Sequence, residues 1–334
     1  MAGKILATAD WHLTANPNDE YRWEFLRWFT KILLPEEKPD ALVVLGDLTH
    51  AKDCHSAQLV NSMVSALVQM AKLQPVYVLK GNHDYRFEHT PFFEFISRIP
   101  NLTYISRPMN ATLCGRNCTF MPHMPPSAFN DAFTAVCKRD ADWTTILFMH
   151  QTFNGAVAAN GTPLASKLDG TDGMRCMKLS GDVHVPQKIN DVVYVGAPYP
   201  VHFGDTYTPR VIAVEGKKRR TIRVPHIKKV VVTVTSAKML DGFDLRMGDQ
   251  VRVRVKCGGG FSAWQKERHA VASWCADHGV RLDSVEVVGT DAKVIKRSKV
   301  VGSSDPTTVF KEFCKASGAK YISEGQALLE RAKV

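Results

Sequence analysis

Residues 4–12 read Lys4-Ile5-Leu6-Ala7-Thr8-Ala9-Asp10-Trp11-His12, an apolar run that stops abruptly on a carboxylate and an imidazole. The pattern recurs twice. Residues 41–45 (Ala-Leu-Val-Val-Leu) lead into Gly46-Asp47-Leu48-Thr49-His50, and residues 75–79 (Pro-Val-Tyr-Val-Leu) lead, after Lys80, into Gly81-Asn82-His83-Asp84. Short apolar runs without polar alternation are strands buried on both faces. Between them lie helical periods. Asn16-Pro17 with Asp19 and Glu20 starts a helix carrying Phe25, Leu26, Phe29, Ile32 and Leu33, and Ser56 caps one carrying Leu59, Val60, Met63, Val64, Leu67 and Met70. Strand, helix, strand, helix, strand predicts a largely parallel α/β sheet, whose sites form at the carboxyl ends of the strands.

The later chain repeats the device. Residues 144–149 run into His150, and 177–180 run into Gly181-Asp182-Val183-His184. With further strands at 192–195 and 211–214 and a helix over 127–138, a second sheet packed on the first is expected. Residues 217–229, with seven cationic side chains and Pro225, read as an edge strand and linker. The boundary falls there, giving a larger domain over 1–224 and a smaller α+β cap over 225–334. In the cap, strands are expected at 250–256 and 284–288, a glycine loop at 258–260, and a helix capped by Ser262 and stopped near Gly279. Asp305-Pro306 opens another helix ending near Gly318, and Ser323-Glu324-Gly325-Gln326 is a capping box for a last one.

Composition bounds the reading. The 334 residues are 45% apolar, enough for one large core and a smaller one. No apolar run approaches the ~20 residues of a membrane span, and the first residues show no signal-peptide plan. An intracellular protein, cytoplasmic or nucleoid-associated, is expected, with its eight cysteines reduced and mostly buried. Residues 1–216 carry 19 basic against 21 acidic side chains, while 217–334 carry 24 against 12, so the net +10 resides in the last third. Such asymmetry points to a polyanionic partner.

Two neighbouring divalent cations need oxygen and imidazole ligands converging on one point, one carboxylate bridging them. Asp10 and His12, two apart in an extended segment, share a face; Asp47 ends the adjacent strand, where it can bridge; Asn82 offers a neutral carbonyl oxygen. His150, Asp182 and His184 arrive from the second half. His123 and His202 read as loop residues or as groups supporting the ligands rather than as ligands themselves, and Trp264 and Trp274 as packing against the cap sheet.

These motifs resemble the calcineurin-like metallophosphoesterase superfamily. Within it, Ala9-Asp10-Trp11-His12-Leu13, Gly46-Asp47-Leu48-Thr49-His50 and Gly181-Asp182-Val183-His184-Val185-Pro186-Gln187 are similar to motifs of the SbcD-like DNA repair nucleases. The resemblance implies a two-sheet sandwich flanked by helices, with a DNA-binding cap. It implies one metal on Asp10, His12, Asp47 and His184, and another on Asp47, Asn82, His150 and position 182. There this chain has Asp182 where the family has histidine, and the aspartate can ligate directly or through water. His83 becomes the general acid or phosphate-orienting group, Asp84 fixes its tautomer, and His50 assists. Manganese is the metal the family suggests; magnesium, iron or zinc also suit the ligands. The implied activity is a DNA exo- and endonuclease of break repair or recombination, with DNA and an SbcC-like coiled-coil ATPase as partners; a homodimer is allowed. Lys217, Arg219 and Arg220 belong to the basic segment expected near DNA. Two rivals remain: a phosphoprotein phosphatase or cyclic-nucleotide phosphodiesterase on the same scaffold, and a non-catalytic interaction module whose metal site has decayed at Asp182.

Overall fold

A computed structural model describes residues 3–288 apart from 88–89, 141–144, 171–174 and 259. In chain order the strands are β1 (Lys4–Thr8), β2 (Ala41–Val44), β3 (Val76–Leu79), β4 (Leu102–Ile105), β5 (Met109–Leu113), β6 (Arg116–Met121), β7 (Ile146–His150) and β8 (Met177–Gly181). They continue with β9 (Gln187–Ile189), β10 (Val192–Tyr194), β11 (Arg210–Glu215), β12 (Lys218–Arg223), β13 (Lys229–Val234), β14 (Gln250–Lys256) and β15 (Arg281–Val288). The helices are α1 (Glu20–Trp28), α2 (Leu34–Glu37), α3 (Ala57–Leu73), α4 (Pro126–Asp140) and α5 (Gly260–Asp277).

Two six-stranded sheets result, ordered β12-β11-β1-β2-β3-β4 and β5-β6-β7-β8-β10-β9. Residues alternate between faces at the period of a strand. Ile5, Ala7, Val43 and Leu45 meet Phe120, Ile146, Phe148 and Leu179 in a core between the sheets. On the opposite face of the first sheet, Leu6, Leu42, Val44 and Val78 pack with Phe25, Phe29, Met63, Leu67 and Met70. Leu147 and Met149 pack outward with Phe129 and Phe133 of α4. The result is the two-sheet sandwich flanked by helices that the sequence predicts. Central strands such as β2 and β7 are buried along their whole length because both of their faces are covered.

Helix ends follow their local chemistry. The Ser56 hydroxyl accepts the Leu59 amide at 3.2 Å at the start of α3. Asn16 caps a short turn over Pro17–Asp19 that feeds α1, and α1 passes through a π-helical turn at Phe29–Leu33 into α2. Strands β4, β5, β6 and β9 were not individually legible, since each is short or mixes polar with apolar residues, and β13 was hidden by the cationic run that reads as a linker.

The chain divides into two compact units: one through Val231 with Leu245–Arg252 and His278–Asp283, the other comprising Val232–Asp244, Val253–Asp277 and the segment from Ser284. β13, β14 and β15 form a three-stranded sheet. In the second unit Trp274 donates its ring N–H to Asp241 at 2.7 Å, and Glu267 accepts the Ala237 amide at 3.0 Å. The helices expected at 305–318 and from Ser323 lie outside the described residues. Among the described residues the free thiols are less buried than expected: only Cys118 and Cys275 are fully enclosed, and Cys54 is exposed. No described helix is long and apolar enough to cross a membrane.

The loops after β2 and β3 approach so closely that a side chain does not fit. A Cβ on Gly81 would lie 2.4 Å from the Asp47 backbone nitrogen and 2.2 Å from its Oδ1. Gly81→Ala is expected to destabilise the fold by about 1–3 kcal/mol, the usual scale for overpacking, as read by urea denaturation. A smaller change would mean that the two loops separate readily.

Candidate metal centre

β1, β2 and β3 run parallel, so Asp10, Asp47 and Asn82 leave the first sheet at one edge. The ladder continues past the strands, where the His12 amide donates to the Asp47 carbonyl at 2.9 Å. In the second sheet His150 stands opposite Gly181 in parallel register, which brings Asp182 beside it. Asp10 and His12 do not share a face by extension, as the sequence suggested. Their φ angles are +54° and +42°, and the pair converges through a left-handed turn. Asp47 (+56°) and Asp182 (+76°) adopt the same conformation, which costs an L-residue roughly 1–2 kcal/mol. Such strain persists where surrounding structure imposes it, and it clusters at functional sites.

Asp47 stands in the middle. Its Oδ2 lies 3.3 Å from His12 Nε2, and its Oδ1 lies 3.6 Å from His150 Nε2. On the first side, the Nε2 atoms of His12 and His184 are 2.9 Å apart, a distance that needs a shared proton or a shared cation. On the second side, Asn82 Oδ1 is 3.2 Å and Asp182 Oδ1 3.7 Å from His150 Nε2. Asp10 Oδ1 accepts the Asp182 amide at 3.0 Å, while its Oδ2 is buried without a hydrogen-bond partner. A buried orphan oxygen grouped with Asp47 and the His150 imidazole is what a cation satisfies. The donor set therefore fits two divalent cations, with Asp47 between them.

The supporting bonds fix orientation. His150 Nδ1 donates to the Leu45 carbonyl at 2.5 Å, which presents Nε2 to the site. The Thr152 hydroxyl donates to Asp182 Oδ2 at 2.6 Å and turns Oδ1 toward His150. Asp84 does not fix the His83 tautomer. Its buried carboxylate accepts the amides of Asp47 and Leu48 at 3.0 Å each and of Gly81 at 2.7 Å, stapling the ends of β2 and β3. His83 donates Nδ1–H instead to the His50 carbonyl at 2.6 Å, because its amide is held on Asp47 Oδ1 at 2.8 Å and its ring swings to the open side. There it stacks on the His50 ring at 5.4 Å and stands 4.8 Å from that of His12.

Lys217, Arg219 and Arg220 lie elsewhere. Glu215 of β11 pairs with Lys4, so the β11–β12 hairpin sits at the amino end of β1, away from Asp10. Arg220 is engaged with Glu37 at 2.7 Å. Sequence reading passed over Arg22, whose buried guanidinium donates to the His12 carbonyl and to Tyr21 and pairs with Asp19. An arginine in an amphipathic helix carries no signal of such a role.

Burial raises Asp10 well above the usual carboxylate range, reinforced by Asp47 and Asp182. Burial also raises Asp47, with Asp84 adding to it. The imidazoles move the other way: burial and neighbouring histidines lower His12, and burial with His202 pushes His184 down to about 3.

The profile of the calcineurin-like phosphoesterases matches residues 3–186. The chain belongs to this family. It is thus a metallophosphoesterase with the calcineurin-like sandwich fold, a family that uses divalent metals, and two groups of side chains here, His12 with His50 and His83 and Asp10 with Asp47 and His150, bring candidate ligand atoms within 4.8 Å of one another. Among curated relatives it is similar to a protein provisionally named phosphoesterase 244L of Invertebrate iridescent virus 6, with 26% identity over 216 residues, 61% of this chain and 72% of the relative. It is similar also to 078R of Invertebrate iridescent virus 3, provisionally named a phosphoesterase, with 26% identity over 181 residues and 52% of each chain. Two solved structures align with it. One, an archaeal phosphodiesterase, has 12% identity and a TM-score of 0.38, with 66% of this chain and 99% of its own covered. The other, the phosphoesterase Yfce from E. coli, has 12% identity and a TM-score of 0.32, with 66% and 100% covered.

These electrostatics set a pH dependence. The raised carboxyls stabilise the metal-free fold below the unfolded carboxylate range and lose that contribution as pH rises through their folded values. His12 and His184 contribute above the ordinary imidazole range and lose it progressively as pH falls below that range, the His184 loss being complete near about 3. A cation needs ionised carboxylates, so it competes with their protons. Manganese added to metal-stripped protein is expected to raise the urea midpoint more at about pH 8 than at about pH 5, with proton release measurable by calorimetry in paired buffers. Equal stabilisation at both pH values, with no proton release, would contradict the assigned ligands.

Proposed function

We propose that this chain is the nuclease subunit of a DNA break-repair or recombination machine, a two-metal phosphodiesterase that cuts DNA exo- and endonucleolytically with an SbcC-like ATPase as partner. Manganese is the proposed metal, with magnesium as substitute. The observation that carries the reading is His83, an imidazole anchored at Nδ1 by the His50 carbonyl on the open side of the ligand cluster. With Nδ1 occupied, Nε2 is the nitrogen that takes up and gives a proton. His83 then protonates the 3′ oxygen as it departs, and the stacked His50 ring limits its rotation. When bound, the divalent cations polarise the phosphate, ease ionisation of water and neutralise charge gathering on the phosphoryl oxygens. Asp10, Asp47 and Asp182 offer anionic oxygen to them; His12, Asn82, His150 and His184 offer neutral donors.

DNA as substrate is supported by the SbcD-like contexts around Trp11 and Val185-Pro186-Gln187 and by the +12 balance of residues 217–334. The proposed cap over 225–334 would track the backbone through cations other than Arg252 and Arg254, which pair with Asp283 at 2.6 Å and Glu286 at 3.2 Å. With manganese, turnover of blunt duplex DNA is expected to exceed that of a phosphopeptide or cyclic nucleotide; the reverse order would assign the chain to the phosphatases or cyclic-nucleotide phosphodiesterases. His83→Ala is expected to keep both metals and DNA affinity but slow cleavage by about 10²- to 10⁴-fold, the range for a lost general acid. Loss of metal in that variant would give His83 a different role.

A further inference from the structure

His123, which the sequence presents as a loop residue between Pro122 and Met124, leaves its sheet as His150 and Asp182 do. β6, β7 and β8 are parallel neighbours, with Met121 opposite Met149 and His150 opposite Gly181. His123 follows β6 by two residues, His150 closes β7, and Asp182 follows β8 by one. Three chain exits therefore stand side by side at one carboxyl edge, the place where open α/β sheets build their sites. The His123 ring lies 6.0 Å from that of His150, at 80° to it. His123 and Asp182 line one cavity of about 610 Å³.

Two hydrogen bonds hold His123 there. Its amide donates to the Lys80 carbonyl at 2.8 Å, which ties the β6 exit to the end of β3, two residues before Asn82. The Tyr85 hydroxyl bonds its Nδ1 at 2.8 Å. Engagement of one ring nitrogen by an outer polar group, which leaves the other for a cation, is how ligating histidines are oriented. A hard divalent cation takes about six donors, so the side chains of Asp47, Asn82, His150 and Asp182 leave room for another.

We propose that His123 is a further ligand of the metal position bounded by Asp47, Asn82, His150 and Asp182, and that Tyr85 orients it. The inference rests on the metal centre and not on DNA as substrate. It is tested by calorimetric titration of manganese into the metal-stripped full chain, for the natural protein, His123→Ala and Tyr85→Phe. The natural protein is expected to bind two ions. His123→Ala should weaken one of them by at least about 10- to 100-fold, and Tyr85→Phe by about tenfold, with the other site unmoved. Added imidazole should restore binding to His123→Gly, and His123→Asp, which keeps an oxygen donor, should retain both ions. Two unchanged affinities in His123→Ala would overturn the assignment. So would a loss that neither imidazole nor the aspartate variant repairs, which would mark a structural role. Intact metal binding with slowed hydrolysis would place His123 on the substrate and overturn it equally. Because the readout is metal binding, a substrate other than DNA would leave the result standing.

Discussion

Asp10 and Asp47 are buried carboxyl groups with relative exposures of 0% and 1%, and the rest of the site is arranged around them. An isolated ionised carboxylate taken out of water costs several kcal/mol even after the protein relaxes. Here two such groups sit close together, with Asp84 beneath them and Asp182 beside them. Without a cation, the cheaper states are protonated acids and neutral imidazoles, which is the direction in which burial moves every shifted ligand group. A divalent ion reverses that preference. The fold thus concentrates carboxyl groups whose ionised forms become stable only when a cation shares their charge.

Holding that charge in place demands backbone that most sequences cannot adopt. Asp10, His12, Asp47 and Asp182 all lie in the left-handed region. What imposes it is a set of bonds from outside each turn. The Asp84 carboxylate gathers three amides from two loops, the Arg22 guanidinium caps the His12 carbonyl, and Leu45 gives its carbonyl to His150. Glycines at 46, 81 and 181 complete the arrangement by leaving no Cβ where one loop meets the next. At Gly46 a Cβ would stand 2.3 Å from His150 Nδ1, so the absence of a side chain there is as specific as the presence of His150.

The two sheets have different tasks. The first supplies Asp10, His12, Asp47, Asn82 and His83 from adjacent parallel strands; the second brings His150, Asp182, His184 and, in our reading, His123 to meet them. Neither sheet holds all of the candidate donors. The core between them, centred on Phe120 and Phe148 stacked at 5.2 Å, is therefore a functional element, because its thickness sets the distance between the two halves of the centre.

The amino-acid sequence by itself determined the strand–helix alternation, the sandwich class and the carboxyl-end location of Asp10, Asp47, Asn82 and His150. These follow from local period and from chain polarity, which a single stretch of residues carries. What it did not carry are relations between segments distant along the chain. Asp84 looked like a partner for its neighbour His83, yet it bonds amides as far away as Asp47, and only the pairing of β2 with β3 decides that. Lys217, Arg219 and Arg220 read only as part of a basic segment, and it is the antiparallel return of β11 that carries them to the edge opposite Asp10. His123 looked like a loop residue until β6, β7 and β8 aligned in register. Local sequence fixes what each strand end offers, whereas which ends meet depends on sheet order and register, which long-range packing sets.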